Sequence, residues 1–340
     1  MAASAITQWV RITLWTIVLS NRGATAETRE LRLGHFPNIT HAQAVLARAN
    51  GEFQKQVGVP IRWTSFNAGP TAIEALFTDA IDATFVGPSP AINGFIRSRG
   101  EKFTVLAGAA SGGAGLVVRK DAGIRGERDF DGKTIATPQL GNTQDVAART
   151  WFNEHGYRFR ERGGSLTLLA LSNADQLTML RKKQIDGAWT VEPWLSRLEI
   201  EGGGNLLLDE KTLWPDGRYT TTLVVANRAF VRDQPDVVRR LLGALIDATR
   251  QINSNKTAAA KTLNAELKKE TGKALAETVI LRALDRVEFT WDPVADSLRQ
   301  SAVRAHRIGF LRAAPDLTGM LSLGPLNEVL KERGLPAVSD

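Results

Sequence analysis

Nucleophilic and metal chemistry have few candidates in this 340-residue chain. Cysteine is absent, and the only histidines are His35, His41, His155 and His306. Disulfides, thiolate metal sites and cysteine nucleophiles are excluded. A histidine-rich metal enzyme is disfavoured, and no metal or cofactor is indicated. No histidine stands beside a carboxylate in an arrangement suited to acid–base work, and no glycine-rich P-loop occurs. The chain offers five short loops instead: Phe36-Pro37-Asn38-Ile39-Thr40-His41, Asn67-Ala68-Gly69-Pro70-Thr71, Gly87-Pro88-Ser89-Pro90, Gln139-Leu140-Gly141-Asn142-Thr143-Gln144 and Glu192-Pro193-Trp194. They are rich in Gly, Pro, Ser, Thr and Asn, and they contain no Lys or Arg.

Loops of this kind open helices. A helix start carries unpaired N–H groups and about half a positive charge, so it holds an oxyanion without a cationic side chain. The same residue types serve as plain helix caps, so the case rests on the five loops together. Ser111-Gly112-Gly113 either supplies donors or forms only a turn. Trp189 and Trp194 flank Glu192, and a flat apolar wall beside polar donors suits an organic anion with a short carbon body. For one of the two tryptophans, core packing is the favoured alternative. Glu192 has two readings. It stabilises a helix start and faces away from a ligand, or it pairs with a ligand ammonium, which implies a zwitterion such as an amino-sulfonate. His41 is either a donor to an oxyanion or a cap residue.

The elements that carry these loops alternate between strand and helix patterns. Leu31–Gly34, Ile61–Phe66 and Thr84–Val86 read as strands, separated by helices from Thr40 and after Pro70. The pattern restarts with strand Lys133–Ala136, helix Thr143–His155, strand Leu166–Leu171, helix Ala174–Lys183 and strand Ala188–Thr190. Such alternation predicts a parallel sheet covered by helices. The two runs echo each other loosely. Asn67-Ala68 precedes a helix and then Ile81-Asp82-Ala83-Thr84; Asn173-Ala174 precedes a helix and then Ile185-Asp186-Gly187-Ala188. Helices Asp236–Ser254, Ala258–Lys269 and Leu275–Arg286 are expected to wrap the first lobe. Two α/β lobes hinged by two chain crossings, near Leu116–Arg119 and Thr221–Val225, are the simplest account. Ligands in open α/β sheets bind beyond the strand carboxyl ends, which here face one cleft.

The N-terminus reads MAASAITQWVRITLWTIVLSNRGATA. Arg11, the apolar run Ile12–Leu19 and Ala24-Thr25-Ala26 follow the order of a secretory signal, and the run is too short to span a bilayer. The expected mature chain begins after residue 26 and is periplasmic. The net charge of +7 is a modest excess spread along the chain. It fits attraction of a small anion better than nucleic-acid binding.

The motifs His35-Phe36-Pro37-Asn38-Ile39-Thr40-His41-Ala42, Phe66-Asn67-Ala68-Gly69-Pro70, Val86-Gly87-Pro88-Ser89-Pro90-Ala91-Ile92, Ala136-Thr137-Pro138-Gln139-Leu140-Gly141-Asn142-Thr143 and Trp189-Thr190-Val191-Glu192-Pro193-Trp194 resemble the periplasmic solute-binding components of nitrate/sulfonate/taurine ABC importers. The resemblance covers about residues 31–336 and is nearest to the aliphatic sulfonate binding proteins. It implies a type II-like two-lobed periplasmic binding fold; the expected crossings place residues 27–117 and 223–340 in lobe 1 and 118–222 in lobe 2. It implies ligand contacts from Asn38, Thr40, His41, Asn67, Gly87, Ser89, Ser111, Gln139, Asn142, Thr143, Trp189 and Glu192. The implied partners are a small organic anion, an alkanesulfonate or taurine, and an ABC permease with its ATPase. A monomer is expected. Nitrate, bicarbonate or a thiamine-pyrimidine precursor are alternative ligands, and an enzyme on the same fold or a ligand-sensing role are alternative functions. The loops show no cationic side chain of the kind a bare inorganic anion needs, which counts against nitrate.

Overall fold

The computed structural model describes residues 30–340, so the expected signal over residues 1–26 lies outside the described residues. The chain opens with β1 (Leu31–His35), a 3-10 turn (Ile39–His41), α1 (Ala42–Ala49), α2 (Glu52–Val57), β2 (Ile61–Ser65), α3 (Gly69–Phe77), β3 (Ala83–Val86), α4 (Pro88–Arg97) and β4 (Phe103–Gly112). A second series follows: β5 (Ala114–Arg119), β6 (Thr134–Thr137), α5 (Thr143–Glu154), β7 (Thr167–Ala170), α6 (Asn173–Arg181), β8 (Gly187–Val191), α7 (Trp194–Ile200) and β9 (Gly204–Asp209). The chain then returns through β10 (Thr220–Asn227), α8 (Arg228–Asp233), α9 (Pro235–Ser254), α10 (Lys256–Thr271), α11 (Glu277–Arg286), β11 (Val287–Phe289), α12 (Ala295–Arg307) and α13 (Gly324–Glu332).

Two sheets result, in the orders β11-β4-β10-β3-β1-β2 and β7-β6-β8-β5-β9. The loose sequence echo is a real structural repeat. In the first sheet β1 lies parallel to β2 and β3, and β10 runs antiparallel to β3. In the second, β6 lies parallel to β7 and β8, and β5 runs antiparallel to β8. The paired aspartates do equivalent work. Asp82 accepts the Arg32 N–H at 2.9 Å, and Asp186 accepts the Thr134 N–H at 2.9 Å, each tying the first parallel strand of its sheet to the third.

Both expected crossings move. The chain leaves the first sheet at Gly112-Gly113, before Leu116–Arg119, which belongs to β5 of the second sheet. The switch is local: both glycines have positive φ, 77° and 74°, a conformation that suits glycine. A side chain at Gly113 would also strike Val287. The return runs through residues 210–219, because Thr221–Val225 lies inside β10 of the first sheet. Long helix α9 seats Val238, Leu241, Leu242, Leu245 and Ile246 in the main core of lobe 1, with Leu33, Phe85 and Val224. Each large apolar side chain so buried contributes about 1.5–3 kcal/mol. Lobe 2 has its own core around Phe130, Trp151, Phe152 and Trp189. No helix of the described residues is long and apolar enough to cross a membrane.

Candidate functional site

Five helices of eight residues or more begin at the boundary between the lobes. Helices α1, α3 and α4 come from lobe 1 and α5 and α6 from lobe 2. Pro70 and Pro88 sit in the first turns of α3 and α4, where their missing N–H costs nothing. Residues at these starts line one cavity of about 30 Å³, space for roughly two waters by that measure. Lobe 1 contributes Asn38, Thr40, His41, Asn67 and Gly87; lobe 2 contributes Asn142 and Thr143. Seven of the twelve expected residues therefore meet at one place.

No lining residue is an acid, lysine or arginine. His41 is buried, and burial holds its pKa well below the ordinary histidine range, so it is neutral. Its Nδ1 accepts the Phe36 N–H at 3.3 Å, and its ring stacks on Phe36 at 4.4 Å. That hydrogen bond assigns the proton to Nε2, making His41 an uncharged donor. Asn38 Oδ1 accepts the Trp194 indole N–H across the lobes at 3.2 Å, which leaves the Asn38 amide hydrogens as donors. The α5 loop is held by buried Asp145, which accepts from Gly141 N–H at 2.9 Å and Thr137 Oγ1 at 3.1 Å. Asn142 caps α5 by accepting the Asp145 N–H at 3.0 Å. Thr143 Oγ1 accepts the Ser89 N–H at 3.3 Å, joining α5 to α4. A methyl group at Gly87 would overlap that same threonine oxygen, so Gly87 admits the other lobe's helix.

Five expected residues stand elsewhere. Ser89 lines a neighbouring cavity. Ser111 accepts the Tyr219 N–H at 3.1 Å beside the chain crossing. Gln139 is outside the cavity lining, because the turn ahead of α5 ends with Asn142, Thr143 and Gln144 inward instead. Trp189 is fully buried in the lobe 2 core, and its N–H goes to Glu210 Oε2 at 2.8 Å. Glu192 is also fully buried. It accepts from Ser196 N–H at 3.1 Å and Ser196 Oγ at 2.9 Å, and it pairs with Arg286 at 3.2 Å. Burial pushes its carboxyl up to about 7, against the pull of Ser196 and Arg286. Of its two readings, the structure supports the helix-start role. Asn173 and Thr221 line the cavity and were not anticipated. The signal for Asn173 was present, since it repeats Asn67, and both asparagines border the same space.

The lobes touch through polar bonds as well. Ile39 N–H donates to Glu192 O at 3.2 Å, and Arg286 of α11 reaches Glu192 and Glu199 of lobe 2. Converging donors from both lobes around a small uncharged gap can neutralise an oxyanion.

The sequence profile of the NMT1-like family matches residues 24–266. The chain belongs to the NMT1-like family. The taurine-binding periplasmic protein of Escherichia coli K12 is 25% identical to this NMT1-like chain over 215 residues, 62% of the chain and 63% of that relative's length. The alkanesulfonate-binding protein SsuA of Xanthomonas axonopodis pv. citri, bound to MOPS, is similar with a TM-score of 0.72 at 21% identity, covering 87% of this chain and 98% of that one. The periplasmic nitrate-binding protein NrtA of Synechocystis PCC 6803 is similar with a TM-score of 0.77 at 17% identity, covering 91% and 90%. At such identities the two structures establish the fold. The two-lobed periplasmic binding architecture expected from the loop motifs is the one this NMT1-like protein has.

Proposed function

We propose that this protein is the extracytoplasmic substrate-binding component of an ABC importer. It closes its lobes on a small organic oxyanion, an aliphatic sulfonate or taurine, and delivers it to a permease and its ATPase. One observation carries the reading: helix starts from both lobes converge on a gap lined by neutral donors. An anion bound there touches both lobes at once, which stabilises the closed arrangement relative to the open one. The taurine-binding relative and the sulfonate-binding fold neighbour support the ligand class. The lack of a lining Lys or Arg disfavours a bare inorganic anion, which has no organic body to add contacts.

Calorimetric titration of the mature protein with ethanesulfonate, taurine and nitrate tests this. The expected result is saturable binding of a sulfonate and weaker binding of nitrate. No heat from any sulfonate at millimolar concentration discards the ligand class.

A further inference from the structure

Where α4 of lobe 1 meets α5 of lobe 2, the interlobe space is cut in two. On one side lies the gap of about 30 Å³ at the helix starts, and on the other a cavity of about 210 Å³. Among the described residues the two linings share Thr143 alone. The α4 start is divided in the same way: Gly87 and Pro90 border the small gap, whereas Pro88 and Ser89 border the large cavity.

The wall between the two spaces is a contact across the lobes. Thr143 Oγ1 accepts the Ser89 N–H at 3.3 Å, and both residues are buried. A methyl group at Gly87 would overlap the same oxygen, so the two helix starts approach as closely as the α4 backbone allows. Groups packed this tightly leave no passage for a ligand atom. Separating the lobes breaks the contact, so the wall is assembled by closure. Beyond it the large cavity is bounded by Val146, Ala147 and Trp151, and by Trp214 stacked on Tyr219 with ring centres 5.4 Å apart. Such walls suit an alkyl chain, which gains about fourfold in affinity for each methylene it buries.

We propose that Thr143 limits the size of the ligand: at closure it seals the small gap against the large cavity, and so selects sulfonates of about one or two carbons over longer ones. The gap has room for roughly two waters, which a sulfonate head and a short body fill. A longer chain has to cross the Thr143–Ser89 line, and while it lies there α4 and α5 cannot meet. The closed state then lacks that contact, and the chain finds no apolar surface to bury in exchange. This rests on the proposed sulfonate-binding function and narrows it to the smallest members of the class.

Calorimetry with methanesulfonate and 1-hexanesulfonate tests this on the parent, Thr143→Ala, Ala147→Leu and the double variant. The quantity read is the ratio of the two affinities within each protein, because a loss of folding or of closure lowers both and leaves their ratio. The parent should favour methanesulfonate at least about tenfold. Thr143→Ala weakens methanesulfonate, yet it should shift the ratio at least about tenfold towards hexanesulfonate by joining the two spaces. Ala147→Leu alone fills a cavity that the parent's ligand does not enter, and should leave both affinities within about twofold. In the double variant the leucine occupies the opened space, and the ratio should return to the parent's. A parent that binds hexanesulfonate as tightly as methanesulfonate or more so, a ratio unmoved by Thr143→Ala, a change on Ala147→Leu alone, or a shift that Ala147→Leu does not reverse overturns the inference and leaves the proposed function standing. Binding of neither sulfonate to the parent overturns both.

Discussion

Thr143 and Asn142 are neighbours with separable tasks. Asn142 accepts the Asp145 N–H and so caps α5, whereas Thr143 Oγ1 accepts the Ser89 N–H across the lobes. Asn142→Ala should therefore cost about 1 kcal/mol of stability in thermal melts, in addition to any loss of affinity. Thr143→Ala leaves the buried Ser89 N–H without its acceptor and should also lower the melting temperature, while weakening ethanesulfonate about tenfold in calorimetry. A melting loss with unchanged ethanesulfonate affinity would reduce Thr143 to a structural residue. Glu192→Gln should not discriminate taurine from ethanesulfonate, since the carboxylate is consumed by Ser196 and Arg286. Taurine affinity falling alone would restore Glu192 as an ammonium partner. The loops that carry small polar residues were legible in the sequence, because helix-start chemistry is local. Side-chain direction was not. Trp189 sits in a cavity-flanking motif, yet strand alternation turns it into the lobe 2 core, and nothing within five residues of Ser111 reveals that Tyr219 will claim its hydroxyl.

The strand–helix alternation fixed the lobes at the scale of elements, but not the handover between them. Gly112 and Gly113 lie between two apolar runs and resemble an ordinary turn. Only the sheet partners show β4 bonded to β10 and β11, and β5 to β8 and β9. The second handover, residues 210–219, carries Glu210, whose carboxyl burial pushes up to about 7. The folded protein then keeps this proton in a range where the unfolded chain, near 4.5, has released it. Glu210 thus favours folding below about pH 4.5, and that contribution declines as pH rises through 7, by at most about 1.4 kcal/mol per pH unit. Glu210→Gln removes this dependence. Between pH 5 and pH 8 the melting temperature of the variant should rise relative to that of the parent. A constant difference across that range would show that Glu210 titrates normally.

The repeat relates the two lobes, and their contacts decide how they meet. Arg286 of lobe 1 pairs with the buried Glu192 of lobe 2. Arg286→Gln leaves that carboxylate without its cation and should favour the open arrangement. Small-angle scattering of the unliganded variant should give a larger radius of gyration than the parent, with weaker ethanesulfonate binding, because part of the binding free energy goes into closing. An unchanged radius and affinity would place the closing force elsewhere. The central claim, that neutral donors from opposed helix starts capture an oxyanion, is met most directly by a crystal structure of the mature protein grown with ethanesulfonate. Sulfonate oxygens are expected within hydrogen-bond distance of donors from both lobes, among them the His41 imidazole and the first-turn amides of α5. Sulfonate held by lysine or arginine side chains, or bound outside the interlobe gap, would contradict it.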